Sequence, residues 1–90
     1  ENLSLKEVPG RLASYLLYLA EEQTPTAGAP ITLPISKGQL ASLLGTIPET
    51  LSRILAKLSA QEMIRVNGSE IEIKDQAQLE ELALTGKALE

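Results

Sequence analysis

The stretch that decides the fold is residues 36–58, SKGQLASLLGTIPETLSRILAKL, in which two short helical patterns meet at Gly45. Ser36 and Gln39 have the spacing of a capping box, so the first helix is predicted to start at Ser36. The apolar residues that share one face of this helix are Leu40, Leu43 and Leu44. Gly45 is predicted to end the helix, because glycine adopts the left-handed conformation of a helix C-terminus at low cost.

The second pattern opens with Thr46 and Glu49, which repeat the capping-box spacing. Pro48 lies in the first turn, where its missing N–H costs little. A new apolar stripe follows at helical spacing: Leu51, Ile54, Leu55 and Leu58. Two helices joined by so short a turn must cross at a large angle, as in a helix-turn-helix motif.

The polar side chains of the second helix lie outside its apolar stripe. In a DNA-binding helix-turn-helix, the second helix contacts base edges with its N-terminal turns. Arg53 suits the N7 and O6 acceptors of guanine, Glu49 can accept from the amino group of cytosine, and Ser52 can contact a base edge or a phosphate. Two structural roles compete with base reading. Thr46 and Glu49 could serve only as a cap, and Arg53 could simply pair with Glu49 four residues earlier.

A scaffold helix is predicted before this motif, beginning near Pro9 and fading by Gln23. Its apolar stripe consists of Val8, Leu12, Ala13, Leu16, Leu17, Leu19 and Ala20. Tyr15 and Tyr18 lie within it and are expected to be packed or half-buried rather than ligand groups. Because these are the only aromatic residues, the composition argues against single-strand and RNA readers, which stack bases on aromatic side chains.

The segment 24–30 carries two prolines and a glycine and is predicted to be an exposed loop. Residues 31–35 then alternate like a strand, which Pro34 confines to an edge or to the strand end. Two further strands, 63–66 and 70–73, flank Asn67-Gly68 and predict a hairpin whose second strand turns Ile71 and Ile73 toward the core.

Arg65, on the first hairpin strand, has two possible roles. It could bind a phosphate, or it could pair across the hairpin with Glu70 or Glu72. The sequence leaves both open.

Asp75 and Gln78 predict the start of a last helix, which ends near Thr85-Gly86. Its apolar residues are Leu79, Leu82 and Ala83. Acidic residues at its start and middle, Asp75, Glu80 and Glu81, match no calcium loop, and the chain has no histidine to complete a transition-metal set, so no metal is expected. The fold class predicted from all these elements is mainly α with a small antiparallel β component, a winged helix-turn-helix.

The net charge of −4 is unfavourable for binding to phosphates, but the charges are unevenly distributed. Residues 31–69 sum to +2, residues 1–30 to −2 and residues 70–90 to −4. The predicted reading helix therefore lies in the basic part. We expect weak binding by one copy of the domain, steeply reduced by salt, and useful affinity from a dimer.

Composition narrows the class of protein further. With no cysteine there is no disulfide framework. The chain also has no histidine, and no serine has a lysine base at a recognisable catalytic spacing, so an enzyme is not expected. Nothing resembles a signal peptide or a spanning helix, so a cytoplasmic protein is expected. The chain begins at Glu1 and its only methionine is Met63, so we expect one domain, residues 1–90, from a longer protein, with residues 1–7 as the end of a linker or dimerisation region.

The segment 35–58, followed by residues 63–73, resembles the DNA-binding domain of the Crp/Fnr family of bacterial transcription regulators. The resemblance rests on Gln39-Leu40-Ala41 and Leu44-Gly45 in the first helix and on the run ETLSRIL at residues 49–55 in the second. It covers most of the chain.

Similarity to the Fnr-type branch implies Glu49, Ser52 and Arg53 as base readers of a half-site with a TTGA-like core, with the glutamate orienting the arginine. Contacts to phosphates are expected from Ser36, Lys37, Thr46, Thr50, Lys57 and Arg65. Two positions depart from the Crp-type branch. Pro48 stands where that branch has a further base-reading arginine, and Ile47 stands where a small phosphate-binding residue is common, so the Crp operator is not implied.

The resemblance also implies partners outside this chain. It implies an N-terminal sensor domain whose ligand is unknown and a homodimer that presents two recognition helices about 34 Å apart to a palindrome. In this family a loop at the position of 24–30 can contact RNA polymerase, but a plain connector is the favoured interpretation because most loops of this length only connect. We expect no cofactor within these residues. The alternative is a winged helix that serves as a protein-interaction module without specific DNA binding, because fold alone does not fix function.

Overall fold

The computed structural model describes residues 7–23 and 30–85. In this part of the chain the elements follow in the order α1 (Glu7–Gln23), β1 (Ile31–Thr32), α2 (Lys37–Leu44), α3 (Pro48–Ala60), β2 (Ile64–Asn67), β3 (Glu70–Ile73) and α4 (Gln76–Thr85). The three strands form one antiparallel sheet. The predicted fold class, a mainly α winged helix-turn-helix, is confirmed.

Helices α1 and α4 pack on each other and form the base of the domain. Helix α1 begins two residues before Pro9, which therefore lies in the first turn, where its missing N–H breaks no intrahelical bond. Helix α4 starts as predicted: Oδ1 of Asp75 accepts a hydrogen bond from the backbone N–H of Gln78 at 3.1 Å. Of its three predicted apolar residues, Leu79 and Leu82 are buried and Ala83 packs partly buried against the core.

The two tyrosines of α1 differ in their surroundings. Tyr15 packs half-buried against the core, as expected, whereas Tyr18 is more than half exposed, which corrects the prediction for that residue. Their ring centroids lie 6.4 Å apart at an interplanar angle of 28°, within the range of an offset aromatic pair.

The sheet has the strand order β1-β3-β2. Strand β1 is shorter than the predicted 31–35, because Pro34 has no N–H with which to continue the pairing. The last hydrogen bond on this side runs from the Leu33 N–H to the Ser69 carbonyl at 2.8 Å. On the other side of β1, the Gln23 amide bonds the backbone of Thr32 twice, donating to its carbonyl at 2.7 Å and accepting from its N–H at 2.8 Å. This side chain occupies backbone groups that a sheet edge otherwise leaves free.

The hairpin confirms the predicted wing with a shift of one residue. Asn67 pairs with Glu70, so the connecting residues are Gly68 and Ser69 rather than Asn67 and Gly68. Gly68 has φ +65°, the backbone conformation that favours glycine in such a turn. Ile71 is fully buried and Ile73 packs partly buried against the core, as predicted.

The core is apolar throughout, and no polar or charged residue is buried among residues 8–23 and 30–84, whose burial the structure describes. One expected member is missing from it. Leu43 is 58% exposed, because Ala41 occupies the face that Leu40 and Leu44 present to the core, so the prediction for Leu43 was wrong. No helix within the described ranges is long and apolar enough to cross a membrane.

Candidate nucleic-acid interface

The start of α2 is fixed by the predicted capping box. The Gln39 backbone N–H donates to Ser36 Oγ at 3.1 Å, and the Ser36 N–H donates to Gln39 Oε1 at 3.0 Å. Lys37 is the first residue of α2 and is exposed. Ser36 and Lys37 therefore lie at the helix end whose dipole favours anions.

The turn between α2 and α3 is a Schellman motif. Gly45 adopts φ 82° and ends α2 as predicted. The Thr46 N–H donates to the Ala41 carbonyl at 2.8 Å, and the Gly45 N–H donates to the Ser42 carbonyl at 3.1 Å. These bonds use the last carbonyls of α2 and set the direction in which α3 leaves.

The N-cap of α3 is Ile47, so the predicted capping box of Thr46 with Glu49 was wrong. The reason lies in the turn: the Thr46 N–H is already bonded to α2, and the chain becomes extended at Ile47 (φ −111°, ψ 159°) before it enters the helix. The Ile47 side chain makes no cap hydrogen bond, and Pro48 occupies the first turn. Thr46 is half-buried.

Helix α3 divides its residues between core and solvent as the sequence predicted. Its buried residues are Leu51, Ile54, Leu55 and Leu58. Its exposed residues with hydrogen-bonding side chains in the first three turns include Glu49, Ser52, Arg53 and Lys57, whereas Thr50 is half-buried. The four buried residues hold the helix in place, and its opposite face is free for a partner.

Glu49 and Arg53 form an intrahelical pair on that face. Arg53 Nη2 lies 3.3 Å from Glu49 Oε2, and the two side chains are 72% and 71% exposed. The predicted structural pairing is therefore present. Because both groups remain largely in solvent, the pair holds the guanidinium in position without removing either group from reach of a ligand.

A groove runs beside the exposed face of α3. It is a cavity of about 250 Å³ lined by Lys37, Ser52, Leu55, Ala56, Ser59 and Val66. The groove thus joins the start of α2, one side of α3 and the wing. Ala56 and Ser59 were not among the predicted site residues, although they follow Ser52 by four and seven residues, which places them on the same side of the helix.

Arg65 lies apart from this groove. It stands opposite Glu72 in the hairpin, with Nη1 of the arginine 3.9 Å from Oε1 of the glutamate, and it lines a separate recess of about 110 Å³ with Pro30, Asn67, Glu70 and Glu72. Cross-strand pairing with Glu72 is therefore present, at the long limit for an ion pair. The acidic residues of β3 surround the one cation of this recess.

The turn that follows α3 is tied to the segment between β3 and α4. Glu62 adopts φ 65°, its N–H donates to the Ser59 carbonyl at 3.0 Å, and the Met63 N–H donates to the Leu58 carbonyl at 3.0 Å. Lys74 Nζ lies 2.6 Å from Glu62 Oε1. Hydrogen bonding from Lys74, and then its charge, lower the pKa of the Glu62 carboxyl below the ordinary value.

The described residues contain no group of three or more His, Cys, Asp or Glu side chains arranged to hold a metal ion. Of the expected loop 24–30, residues 24–29 lie outside the described ranges, so its predicted exposure stays a prediction.

Comparison with known proteins gives consistent matches. The model of the Crp-like helix-turn-helix domain matches residues 10–82. The chain is 37% identical over 73 residues to a probable transcriptional regulator, flp, of Lacticaseibacillus casei, covering 81% of this chain and 32% of that protein. It is 33% identical over 87 residues to the fumarate and nitrate reduction regulatory protein of Vibrio cholerae, covering 94% of this chain and 35% of that protein.

Solved structures agree with these matches. DNR from Pseudomonas aeruginosa superposes with a TM-score of 0.75 at 37% identity, over 84% of this chain and 33% of that one. FixK2 from Bradyrhizobium japonicum gives a TM-score of 0.74 at 29% identity, over 83% of this chain and 37% of that one. The chain thus spans about a third of the length of each of these proteins.

Proposed function

This chain belongs to the Crp/Fnr family of transcription regulators, as its helix-turn-helix DNA-binding domain, and we propose that it reads a palindromic operator through the exposed face of α3. The observation that carries the proposal is the Glu49–Arg53 pair, which stands in the first two turns of that helix and remains open to solvent. Those turns are the part of a recognition helix that meets base edges in the major groove.

We assign three residues as base readers. Arg53 donates to the N7 and O6 acceptors of a guanine, Glu49 accepts from a cytosine amino group, and Ser52 contacts a neighbouring base edge. The ion pair supports these roles, because a guanidinium held by a carboxylate loses less rotational freedom when it binds than a free one does. The half-site we expect has a TTGA-like core.

Contacts to phosphates are assigned to residues around this face. Lys37 and Ser52 line the same groove, so α2 and α3 can follow one strand of the duplex together. The full proposed set is Ser36, Lys37, Thr46, Thr50, Lys57 and Arg65. Arg65 must leave Glu72 to take this role, and the 3.9 Å separation and solvent exposure of that pair make the exchange inexpensive.

The rest of the proposal concerns the whole regulator. We propose that it acts by binding rather than by catalysis, in the cytoplasm, as a homodimer that presents two α3 helices about 34 Å apart. A sensor domain outside this chain supplies the signal. We take loop 24–30 as a connector, the usual role of loops of this length, with contact to RNA polymerase as the alternative.

Selection from a randomised duplex library tests this function. Two copies of the domain, joined by a flexible linker, are expected to enrich a palindrome with half-site centres about ten base pairs apart. The same selection with Arg53→Ala is expected to lose one fixed base pair in each half-site. Recovery of unrelated duplexes by the unaltered protein would favour the alternative of a protein-interaction module.

A further inference from the structure

We propose that Ile47 is a specificity-determining residue that contacts the C5-methyl group of an operator thymine. The inference rests on the proposed function, since it places α3 in the major groove. The Ile47 contact is additional to the base contacts assigned to Glu49, Ser52 and Arg53. Those three contacts are polar, whereas the Ile47 contact is apolar.

Ile47 does not serve the fold in an evident way. It is the N-cap of α3, a position that favours Ser, Thr, Asp or Asn because their side chains accept a hydrogen bond from the helix. Ile47 makes no such bond, and its side chain is 57% exposed, so it contributes little to the core. A large apolar residue at this position therefore costs the helix a cap and leaves an aliphatic surface in solvent.

The chemistry of this helix end favours a base over a phosphate. A phosphate at a helix N-terminus is held by backbone N–H groups and polar side chains. Here Pro48 has no N–H and Ile47 has no polar side-chain atom or cap hydrogen bond. The side chains of residues 47 and 48 are thus purely aliphatic, and the phosphate contacts proposed for Thr46 and Thr50 lie on either side of them.

Only one base offers a matching surface in the major groove. Thymine carries a C5-methyl group there, whereas the other bases present hydrogen-bond donors and acceptors. Ile47 precedes Glu49 by two residues at the start of the recognition helix, so its contact is expected at a base pair next to those read by the polar side chains. Covering one methyl group corresponds to about a fourfold gain in affinity.

Replacing thymine with deoxyuracil tests the contact directly, because the two bases differ only by the C5-methyl group. The operator recovered by selection is altered at one thymine of one half-site at a time, and affinities are measured for the linked dimer. The unaltered protein is expected to lose about fourfold at one position.

Ile47→Ser separates this role from a structural one. Serine removes the aliphatic side chain and supplies a helix cap, so this variant is expected to melt at or above the temperature of the unaltered protein. It is also expected to bind the thymine and deoxyuracil operators equally. Leu84→Ala, which removes another exposed aliphatic side chain, on α4, is the control and is expected to keep the fourfold discrimination.

Two results would overturn the inference. One is that the unaltered protein tolerates deoxyuracil at every thymine; the other is that Ile47→Ser discriminates as strongly as the unaltered protein does. Either can occur while Arg53-dependent binding persists, in which case the proposed function stands. Absence of any sequence preference in the unaltered protein would overturn both.

Discussion

Arg53 Nη2 lies 3.3 Å from Glu49 Oε2, one helical turn away, and both side chains are about 70% exposed. A pair so exposed contributes little to folding, typically about 0–1 kcal/mol. The pair instead fixes the position of a side chain: the carboxylate keeps the guanidinium on the outer face of α3, where the proposed contact with a base lies.

The first prediction is that these two residues act as a unit in binding. Arg53→Ala is expected to cost about 1–3 kcal/mol of operator affinity. Glu49→Ala is expected to cost less in the Arg53→Ala background than in the unaltered protein, because the arginine it orients is gone. Anisotropy titrations of both single variants and the double variant measure the coupling. Strictly additive losses would show that the pair has no joint role.

Salt dependence separates phosphate contacts from base contacts. Lys57→Ala is expected to weaken binding to all duplexes alike and to lower the slope of log K against log salt by about one per protomer. Arg11→Ala, an exposed cation on α1, is the matched control and is expected to leave the slope unchanged. Arg65→Ala is expected to behave like Lys57→Ala, and an unchanged slope for it would mean that Arg65 only pairs with Glu72.

Substitution by alanine is expected to change stability in opposite directions at two glycines of the helix-turn-helix. Gly45 has φ 82°, so Gly45→Ala forces a side chain into the left-handed conformation and is expected to lower the free energy of unfolding by about 1–2 kcal/mol. Gly38 lies within α2, and the nearest atom to an added Cβ is Ser36 Oγ at 3.9 Å, so Gly38→Ala is expected to stabilise by about 0.5–1 kcal/mol. Urea denaturation measures both. Equal effects would contradict the role of Gly45 in the turn.

Acid is expected to weaken the ion pair between Glu62, in the turn after α3, and Lys74, which follows β3. The pKa of Glu62 is lowered in the folded state by its hydrogen bond to Lys74 and by the charge of that lysine. The stabilisation is therefore fully present above the ordinary glutamate pKa of about 4.3 and is lost as pH falls through the lowered value.

Lys74→Met tests this link. It is expected to destabilise slightly at pH 7, and its difference from the unaltered protein is expected to shrink as pH falls below about 4.3. Lys74→Arg, which keeps the charge, is the control. Urea denaturation between neutral and acidic pH measures the difference, and a gap that stays constant down to the lowest pH would contradict the assignment.

Local sequence signals predicted much of the fold, and the failed capping box at Thr46 shows where they stop being informative. The Ser36–Gln39 and Asp75–Gln78 spacings correctly marked helix starts. Thr46–Glu49 has the same kind of spacing, yet the Schellman turn at Gly45 uses the Thr46 N–H and moves the N-cap to Ile47. A capping pattern is therefore informative only when the preceding element leaves its first residue free.

Hydrogen bonds between residues far apart in the sequence could not be predicted, because they leave no periodic pattern in it. The bonds from Gln23 to Thr32 and from Lys74 to Glu62 join residues nine and twelve positions apart. The left-handed conformation of Glu62 was likewise not predicted, because the residue that adopts this conformation after a helix is usually glycine. For the candidate site, residue type and helical spacing selected the exposed face of α3, but the groove with Ala56 and Ser59 depends on how α2 and the wing pack beside it.

The most direct test of the central claim is fluorescence anisotropy of the linked dimer on a TTGA-type palindrome and on its scrambled counterpart, across a salt series. We predict tighter binding to the palindrome at every salt concentration, with that preference reduced by Arg53→Ala and retained by Arg11→Ala. Equal and feeble binding to both duplexes, unchanged by Arg53→Ala, would contradict the claim that α3 reads sequence.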